Sequence, residues 1–134
     1  MSINKFVYHH CEKNRIPKER VQIVEWKHFN AADVERGVLF VHAPWSAQSA
    51  SALSMFFQAL SQADPGPTFG LFFLDAEDYN PSEFVEMFGS VSQGYGESYW
   101  IKDGKLVHKE EGAGRGTNWD SLKQQFTLMA ADKR

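Results

Sequence analysis

With 134 residues, 43% of them hydrophobic, the chain has the length of one domain and can bury about two-thirds of its unfolded surface. A net charge of −3 without a basic cluster argues against nucleic-acid binding, and no apolar run approaches the roughly 20 residues of a membrane span. The one cysteine, Cys11, excludes an intramolecular disulfide. Since no signal peptide opens the sequence, we expect a soluble cytoplasmic protein with no membrane partner.

The first third of the chain predicts a helix, a strand and a second, short helix. Apolar residues recur at helical spacing over Met1–Asn14, and Pro17 then ends that helix. Val21–Phe29 is rich in β-branched and aromatic residues and predicts a strand. A short helix over Asn30–Arg36, capped by its first residue, would end at Gly37.

The central stretch predicts a buried strand that leads directly into a long helix. Gly37–Ala43 is almost entirely apolar, which is typical of a strand covered on both faces. Pro44 and Trp45 interrupt the strand, and Ser46 is a favourable N-cap for the helix that follows. Apolar residues then recur at the spacing of one helical face: Leu53, Phe56, Phe57 and Leu60.

The second half predicts another strand and helix, then a hairpin and a last helix. These features are a turn at Asp64–Pro67, a strand over Phe69–Leu74, a helix from Asn80 to Gly89, strands over Glu97–Ile101 and Lys105–Lys109, and a helix capped by Thr117 or Asn118. Asp-Gly between the last two strands is a strong hairpin signal. The alternation predicts one α/β domain over residues 1–134, with residues 1–17 as an N-terminal helical extension.

The strand–helix junction resembles the active-site segment of the thioredoxin family. There a hydrophobic strand ends in Ala-x-Trp, and Cys-x-x-Cys opens the next helix. Here Ala43-Pro44-Trp45 takes the first place and Ser46-Ala47-Gln48-Ser49 the second. Lys102-Asp103-Gly104 and Glu111-Gly112-Ala113 match later landmarks of the family. The resemblance covers about Val21–Ala130 and implies a thioredoxin-like fold, a mixed central sheet with helices on both faces, here with an extra N-terminal helix.

Four positions that serve catalysis in the family carry other residues here. Serine replaces both cysteines, at Ser46 and Ser49. Counting back from the hairpin turn, the family's cis-proline falls on Gly96, and its buried aspartate falls on Phe40. Because a cis bond before a non-proline residue costs about 2.5–4 kcal/mol, we expect the Tyr95–Gly96 peptide to be trans. We interpret the four changes together as a natural loss of redox chemistry.

An enzyme of altered chemistry is the alternative. Ser46 would need a general base, and His42 lies four residues upstream, but no acidic residue that would orient it is evident. Capping the helix is the better interpretation of the serine. Cys11 could act alone through a mixed disulfide, although a half-buried, inert thiol is the simpler expectation.

The sequence predicts neither a metal nor a cofactor. His9-His10-Cys11 has no second pair of ligands at the spacing of a zinc site. Gly112–Gly116 contains three alternating glycines, but the βαβ context of a dinucleotide site is missing. A flexible linker is the plain interpretation of that loop.

A binding surface remains as the preferred hypothesis. In thioredoxins, loops around the active site form an apolar groove for extended polypeptide. The resemblance places the matching positions at Trp45, Tyr95, Gly96, Gly112 and Ala113. The sequence therefore favours a redox-inactive domain of the chaperone or adaptor type, which binds a protein or an extended peptide. The simpler alternative is that the rings of Trp45 and Tyr95 pack against each other.

We predict that the protein does not catalyse the reduction of a disulfide substrate such as insulin, because the chain holds no second thiol to resolve a mixed disulfide. The measurement is the rate of insulin reduction, compared with that of an equimolar free thiol. Turnover well above this control, lost in Cys11→Ser, would contradict the prediction and indicate a one-cysteine mechanism.

Overall fold

A five-stranded mixed sheet lies at the centre of the computed structural model, which describes residues 3–63 and 69–131. The elements in these residues are, in order, α1 (Asn4–Lys13), β1 (Val21–Ile23), β2 (Arg36–His42), α2 (Ala47–Ala63), β3 (Gly70–Asp75), α3 (Pro81–Phe88), β4 (Ser98–Lys102), β5 (Lys105–Glu110) and α4 (Trp119–Ala131). The turn predicted at Asp64–Pro67 lies outside the described residues. Within the two described segments, no helix is long and apolar enough to cross a membrane.

The strand order in the sheet is β1-β3-β2-β4-β5. Strands β1, β3 and β2 run parallel, whereas β4 is antiparallel to β2 and β5 is antiparallel to β4. Buried side chains fill both faces, one cluster under α1, α2 and α4 and the other under α3. This arrangement confirms the predicted α/β class, and it places β2 between two cores, as its apolar sequence predicts.

Local sequence signals set most of the helix ends and the hairpin turn. Ser46, Asn80 and Asn118 each accept a hydrogen bond from the backbone N–H three residues on, at 3.1, 3.1 and 2.8 Å. Asn118 rather than Thr117 therefore caps α4. Asp103-Gly104 forms the turn between β4 and β5 with φ values of +52° and +77°, as the Asp-Gly sequence predicts.

The first strand is shorter than predicted. The strand predicted over Val21–Phe29 ends at Ile23, and Trp26–His28 forms a turn of 3₁₀ helix. The chain bends here because the indole of Trp26 is buried in the core, where its Nε1 donates to Glu83 Oε1 at 2.8 Å. Burial of this large ring outweighs the intrinsic preference of the segment for a strand.

The next predicted element, a short helix, is also shorter than predicted. The helix predicted over Asn30–Arg36 is a single 3₁₀ turn, Ala31–Asp33, which keeps its predicted asparagine N-cap. Gly37 does not end that helix but lies inside β2. A Cβ at Gly37 would lie 2.9 Å from the Phe72 ring and 3.0 Å from the carbonyl oxygen of Gly70. The glycine is therefore needed for close packing within the sheet.

The N-terminal helix α1 shares the main core. His10 stacks on Phe57 at a centroid distance of 5.6 Å, and the ring of Phe6 meets that of His42 edge-on at 5.4 Å. Three further side chains of this segment are almost fully buried: Ile3, Val7 and Cys11. Helix α1 therefore covers the carboxyl end of β2.

His42, the last residue of β2, is only 2% exposed beneath α1. Burial lowers its pKa to about 4, because the charged imidazolium would lose its hydration; the charge of Asp75 opposes this shift, and His10 adds to it. Nδ1 contacts Ser49 Oγ at 2.8 Å, whereas Nε2 is buried without a hydrogen-bond partner among the described residues. The folded protein therefore holds His42 neutral at pH 7.

We predict that the free energy of unfolding falls as the pH is lowered from about 6.5 to about 4. In this window the unfolded chain protonates His42 and the folded protein does not, so protons favour the unfolded state. The contribution of this group is on the order of 3 kcal/mol, and it levels off below the pKa of the folded protein.

Urea unfolding near pH 7 and near pH 4.5, followed by tryptophan fluorescence, measures this loss. In His42→Asn the pH-dependent loss should be clearly smaller than in the wild type. His28→Asn changes an exposed histidine and should leave the loss unaltered. An equal loss in the wild type and in His42→Asn would show that another group is responsible.

Candidate functional site

The hydroxyl of Ser49 joins the first turn of α2 to the end of β2. Ser49 Oγ accepts a hydrogen bond from the Ala43 N–H at 2.9 Å and contacts His42 Nδ1 at 2.8 Å, and the side chain is fully buried. Because a hydroxyl carries one proton and two lone pairs, Ser49 Oγ either donates to Nδ1 or accepts from it, according to the tautomer of His42. The second serine of the Ser-x-x-Ser segment is therefore a structural link.

Ser46 and His42, the pair considered for catalysis, do not meet. Ser46 Oγ accepts from the Ser49 N–H at 3.1 Å and donates to Gln48 Oε1 at 3.3 Å. His42 bonds to Ser49 instead, and both of those side chains are buried away from solvent. The acidic neighbour that is not evident in the sequence is Asp75, which stands opposite His42 in β3. Only the parallel pairing of β2 with β3 reveals it.

The cysteine and histidines of α1 lie in different surroundings. Burial raises the pKa of the Cys11 thiol, and the opposing effect of Lys18 is smaller. Little thiolate therefore forms at neutral pH, which makes the thiol a weak nucleophile. His9 is exposed, whereas His10 stacks on Phe57. In the part of the chain that the structure describes, no group of three or more His, Cys, Asp or Glu side chains could hold a metal ion.

Three of the four altered positions meet in space. Phe40 is buried, with its ring centroid 5.2 Å from that of Phe56. A Cβ at Gly96 would lie 2.5 Å from Ala52 Cβ, 3.1 Å from Ser49 Cα and 3.3 Å from the Phe40 ring. With a φ of +82° as well, this position accepts only glycine without rearrangement. The Tyr95–Gly96 peptide is trans, as predicted.

Two of the five predicted binding residues present side chains to solvent. Trp45 is 64% exposed, and Tyr95 is partly exposed. The remaining three are buried and shape the surface from within: Gly96, Gly112 and Ala113. The exposed part of the site is thus two aromatic rings carried on separate loops.

Short backbone contacts bring these loops together. The Ala113 N–H donates to the carbonyl oxygen of Tyr95 at 3.0 Å. A Cβ at Gly112 would lie 2.2 Å from the same oxygen, so only glycine allows this approach. A Cβ at Gly94 would lie 4.0 Å from the ring of Trp45, which places that ring beside the loop that carries Tyr95.

Arg115, which the sequence analysis does not single out, covers Tyr95. Its Nη2 donates to Tyr95 Oη at 2.7 Å, and the guanidinium carbon lies 4.4 Å from the ring centroid. Among the described residues no ring contact joins Trp45 to Tyr95, so the alternative in which these rings pack together is not the observed arrangement. We call Trp45, Gly94, Tyr95 and Arg115 the tryptophan surface.

The glycine-rich loop interpreted as a flexible linker is a hydrogen-bonded turn. The Arg115 N–H donates to the carbonyl oxygen of Gly112 at 3.0 Å, and the Gly112 N–H donates to Thr117 Oγ1 at 2.8 Å. These bonds hold Arg115 in place over Tyr95. The signal available in the sequence was a single cation among alternating glycines, which is too common a pattern to identify a site.

A buried carboxylate supports the other loop of the tryptophan surface. Glu97 is fully buried, and its two carboxylate oxygens accept hydrogen bonds from Ser92 Oγ at 2.8 Å and from the Gln93 N–H at 2.6 Å. Its backbone oxygen also accepts from the Val41 N–H at 3.0 Å. Glu97 thereby ties the loop that carries Tyr95 to the central strand. Sequence reasoning missed this role, because the bonded partners become neighbours only through the loop conformation.

Solved structures with a thioredoxin fold, several of them thioredoxins, are similar to this one. Neither a protein-family model nor a curated protein matches the sequence. The structure is similar to thioredoxin from Malassezia sympodialis, with 18% identity, a TM-score of 0.64, and coverage of 83% of this chain and 91% of that one. For Plasmodium falciparum thioredoxin the corresponding values are 18%, 0.59, 80% and 97%. For a mutant thioredoxin from Halobacterium salinarum they are 13%, 0.60, 87% and 96%.

At these identities the similarity establishes the fold. The similarity agrees with the resemblance read from the Ala43-Pro44-Trp45 junction. The protein is thus a thioredoxin-fold domain whose single cysteine, Cys11, excludes the Cys-x-x-Cys motif.

Proposed function

We propose that this domain binds an extended polypeptide on the tryptophan surface and works as a chaperone or adaptor, without disulfide exchange. The observation that carries the proposal is the exposure of Trp45. Two of the other tryptophans, Trp26 and Trp100, are buried, and Trp119 is partly buried against the core. A partner that covers the exposed ring gains on the order of 2–4 kcal/mol from burial of apolar area.

The composition of the tryptophan surface also supports binding. Tryptophan, tyrosine and arginine are the residues most enriched at the energetic centres of protein interfaces. Here Trp45, Tyr95 and Arg115 lie in one surface. The loops of Tyr95 and Arg115 are hydrogen-bonded to each other, and the turn of Trp45 follows directly after the central strand. Binding to a surface that is already ordered costs little conformational entropy, which favours affinity.

Catalysis has less support than binding. The serine and the histidine that do meet, Ser49 and His42, are buried, and the Cys11 thiol is buried with a raised pKa. A nucleophile must be reached by its substrate, and a thiol must in addition ionise near neutral pH. In the described structure all three side chains are buried, and the raised pKa of Cys11 also disfavours its thiolate.

The proposal includes a cytoplasmic location. The single free cysteine is typical of proteins from reducing compartments, since small secreted domains are often held together by several disulfides. An extended polypeptide partner would then be a newly made or unfolded segment, or a disordered region of a folded protein.

We predict that Trp45→Ala weakens peptide binding by about tenfold or more, because it removes the largest exposed ring of the surface. The probes are overlapping 13-residue peptides from unfolded proteins, displayed on an array. The strongest binder is then labelled with fluorescein and titrated by fluorescence anisotropy. Since the ring is mostly exposed, the same substitution should change the free energy of unfolding by less than about 0.5 kcal/mol.

Leu128→Ala is the matched control, because it truncates another exposed apolar side chain, 57% exposed on α4. It should leave peptide affinity unchanged. The proposed function fails if the array yields no peptide that binds in solution, or if both variants weaken binding equally.

A further inference from the structure

The guanidinium of Arg115 is the charged centre of the tryptophan surface. One of its N–H donors bonds to Tyr95 Oη, and the guanidinium carbon lies 4.4 Å from the centroid of the Tyr95 ring. Among the described residues, no carboxylate lies within ion-pair distance of Arg115. Arginine has five N–H donors in a planar fork, so most of its capacity to bind a carboxylate remains available.

The nearby acidic residue does not neutralise this charge. A hollow of about 330 Å³ is lined by Gln93, Tyr95, Glu111 and Arg115. The carboxylate of Glu111 pairs with Lys109 Nζ at 3.2 Å. The hollow therefore carries one paired acid and one uncompensated cation. At physiological salt the Debye length is about 8 Å, so this local balance matters more than the net charge of the chain.

Arg115 is also held in position before a partner arrives. Its backbone N–H donates to Gly112, and the neighbouring Ala113 N–H donates to Tyr95, so the loop and the aromatic ring form one unit. A long side chain normally loses rotamer freedom when it forms an ion pair in an interface. The hydrogen bond and the ring contact with Tyr95 already restrict Arg115, which lowers that cost.

We propose that the tryptophan surface selects extended segments in which an aspartate or glutamate binds Arg115 while a neighbouring apolar residue covers Trp45. Trp45 lies beside Gly94 and Arg115 lies over the next residue, Tyr95, so a single extended segment can reach both. This inference rests on the proposed function and adds the chemical class of the segment. The bond is a charge-assisted, bidentate pair between guanidinium and carboxylate.

The test compares matched peptides that differ at one position only, the position of the residue that is proposed to bind Arg115. The strongest array peptide is synthesised with Asp, Asn or Lys at that position, each with an amidated C-terminus, and one Asn peptide keeps a free C-terminal carboxylate. Dissociation constants are measured by anisotropy on the wild type. We expect the Asp peptide to bind about tenfold more tightly than the Asn peptide, and the Lys peptide to bind more weakly still.

Variants of the protein then show whether Arg115 causes the preference for the Asp peptide. In Arg115→Gln the difference between the Asp and Asn peptides should fall to less than about twofold, and Arg115→Lys should restore only part of it. Lys123→Gln is the matched control, because Lys123 also lies over an aromatic ring, that of Trp119, at 4.8 Å. This control should keep the full preference. Raising the salt concentration should weaken binding of the Asp peptide but not of the Asn peptide.

Each outcome decides between the two proposals. Equal affinity for the Asp and Asn peptides on the wild type, with Trp45→Ala still weakening both, overturns the acidic preference and leaves the proposed function intact. The acidic preference is also overturned if the Asp peptide keeps its advantage in Arg115→Gln. The same holds if tighter binding depends only on a free C-terminal carboxylate. If no peptide binds the wild type, both proposals fail.

Discussion

The hydroxyl of Ser49 is the contact on which the rest of the site depends. It binds the backbone N–H of Ala43 and one ring nitrogen of His42, and so joins the central strand to the first turn of α2. Without it, two buried polar groups would lose their partner, at a cost of about 1–3 kcal/mol each. Pro44-Trp45 forms the turn between that strand and that helix, so the same link sets the direction in which the exposed indole projects.

Around this link the interior is apolar where the resemblance to thioredoxins would place an acid. Phe40 fills that position, and the nearby His42 is a neutral imidazole that α1 covers. His42 satisfies one ring nitrogen and leaves the other buried without a partner among the described residues. The structure tolerates this because an uncharged nitrogen costs far less to bury than an imidazolium. Stability is therefore tied to pH through a residue that is buried beneath α1.

The tryptophan surface depends on two positions where the backbone packs closely against a neighbouring element. Gly96 lies against the first turns of α2, and Gly112 lies against the carbonyl group of Tyr95; a Cβ would prevent either contact. Together with the buried carboxylate of Glu97, they turn the loops around Trp45 into a fixed surface. Under the proposed function, a surface with one uncompensated guanidinium would discriminate between partners by charge as well as by apolar area.

The sequence by itself determined the α/β class, the capped helix starts, the Asp103-Gly104 hairpin and the serine substitutions, because caps, turns and hydrophobic periodicity act between near neighbours. Through the resemblance, it also pointed to Trp45 and Tyr95 as candidate binding residues. Only the tertiary structure decided that Ser49 rather than Ser46 meets His42, that the first strand ends early, and that Arg115 contacts Tyr95. Those contacts join residues that are distant in the chain or whose loops take shape through backbone hydrogen bonds, and no local pattern encodes them.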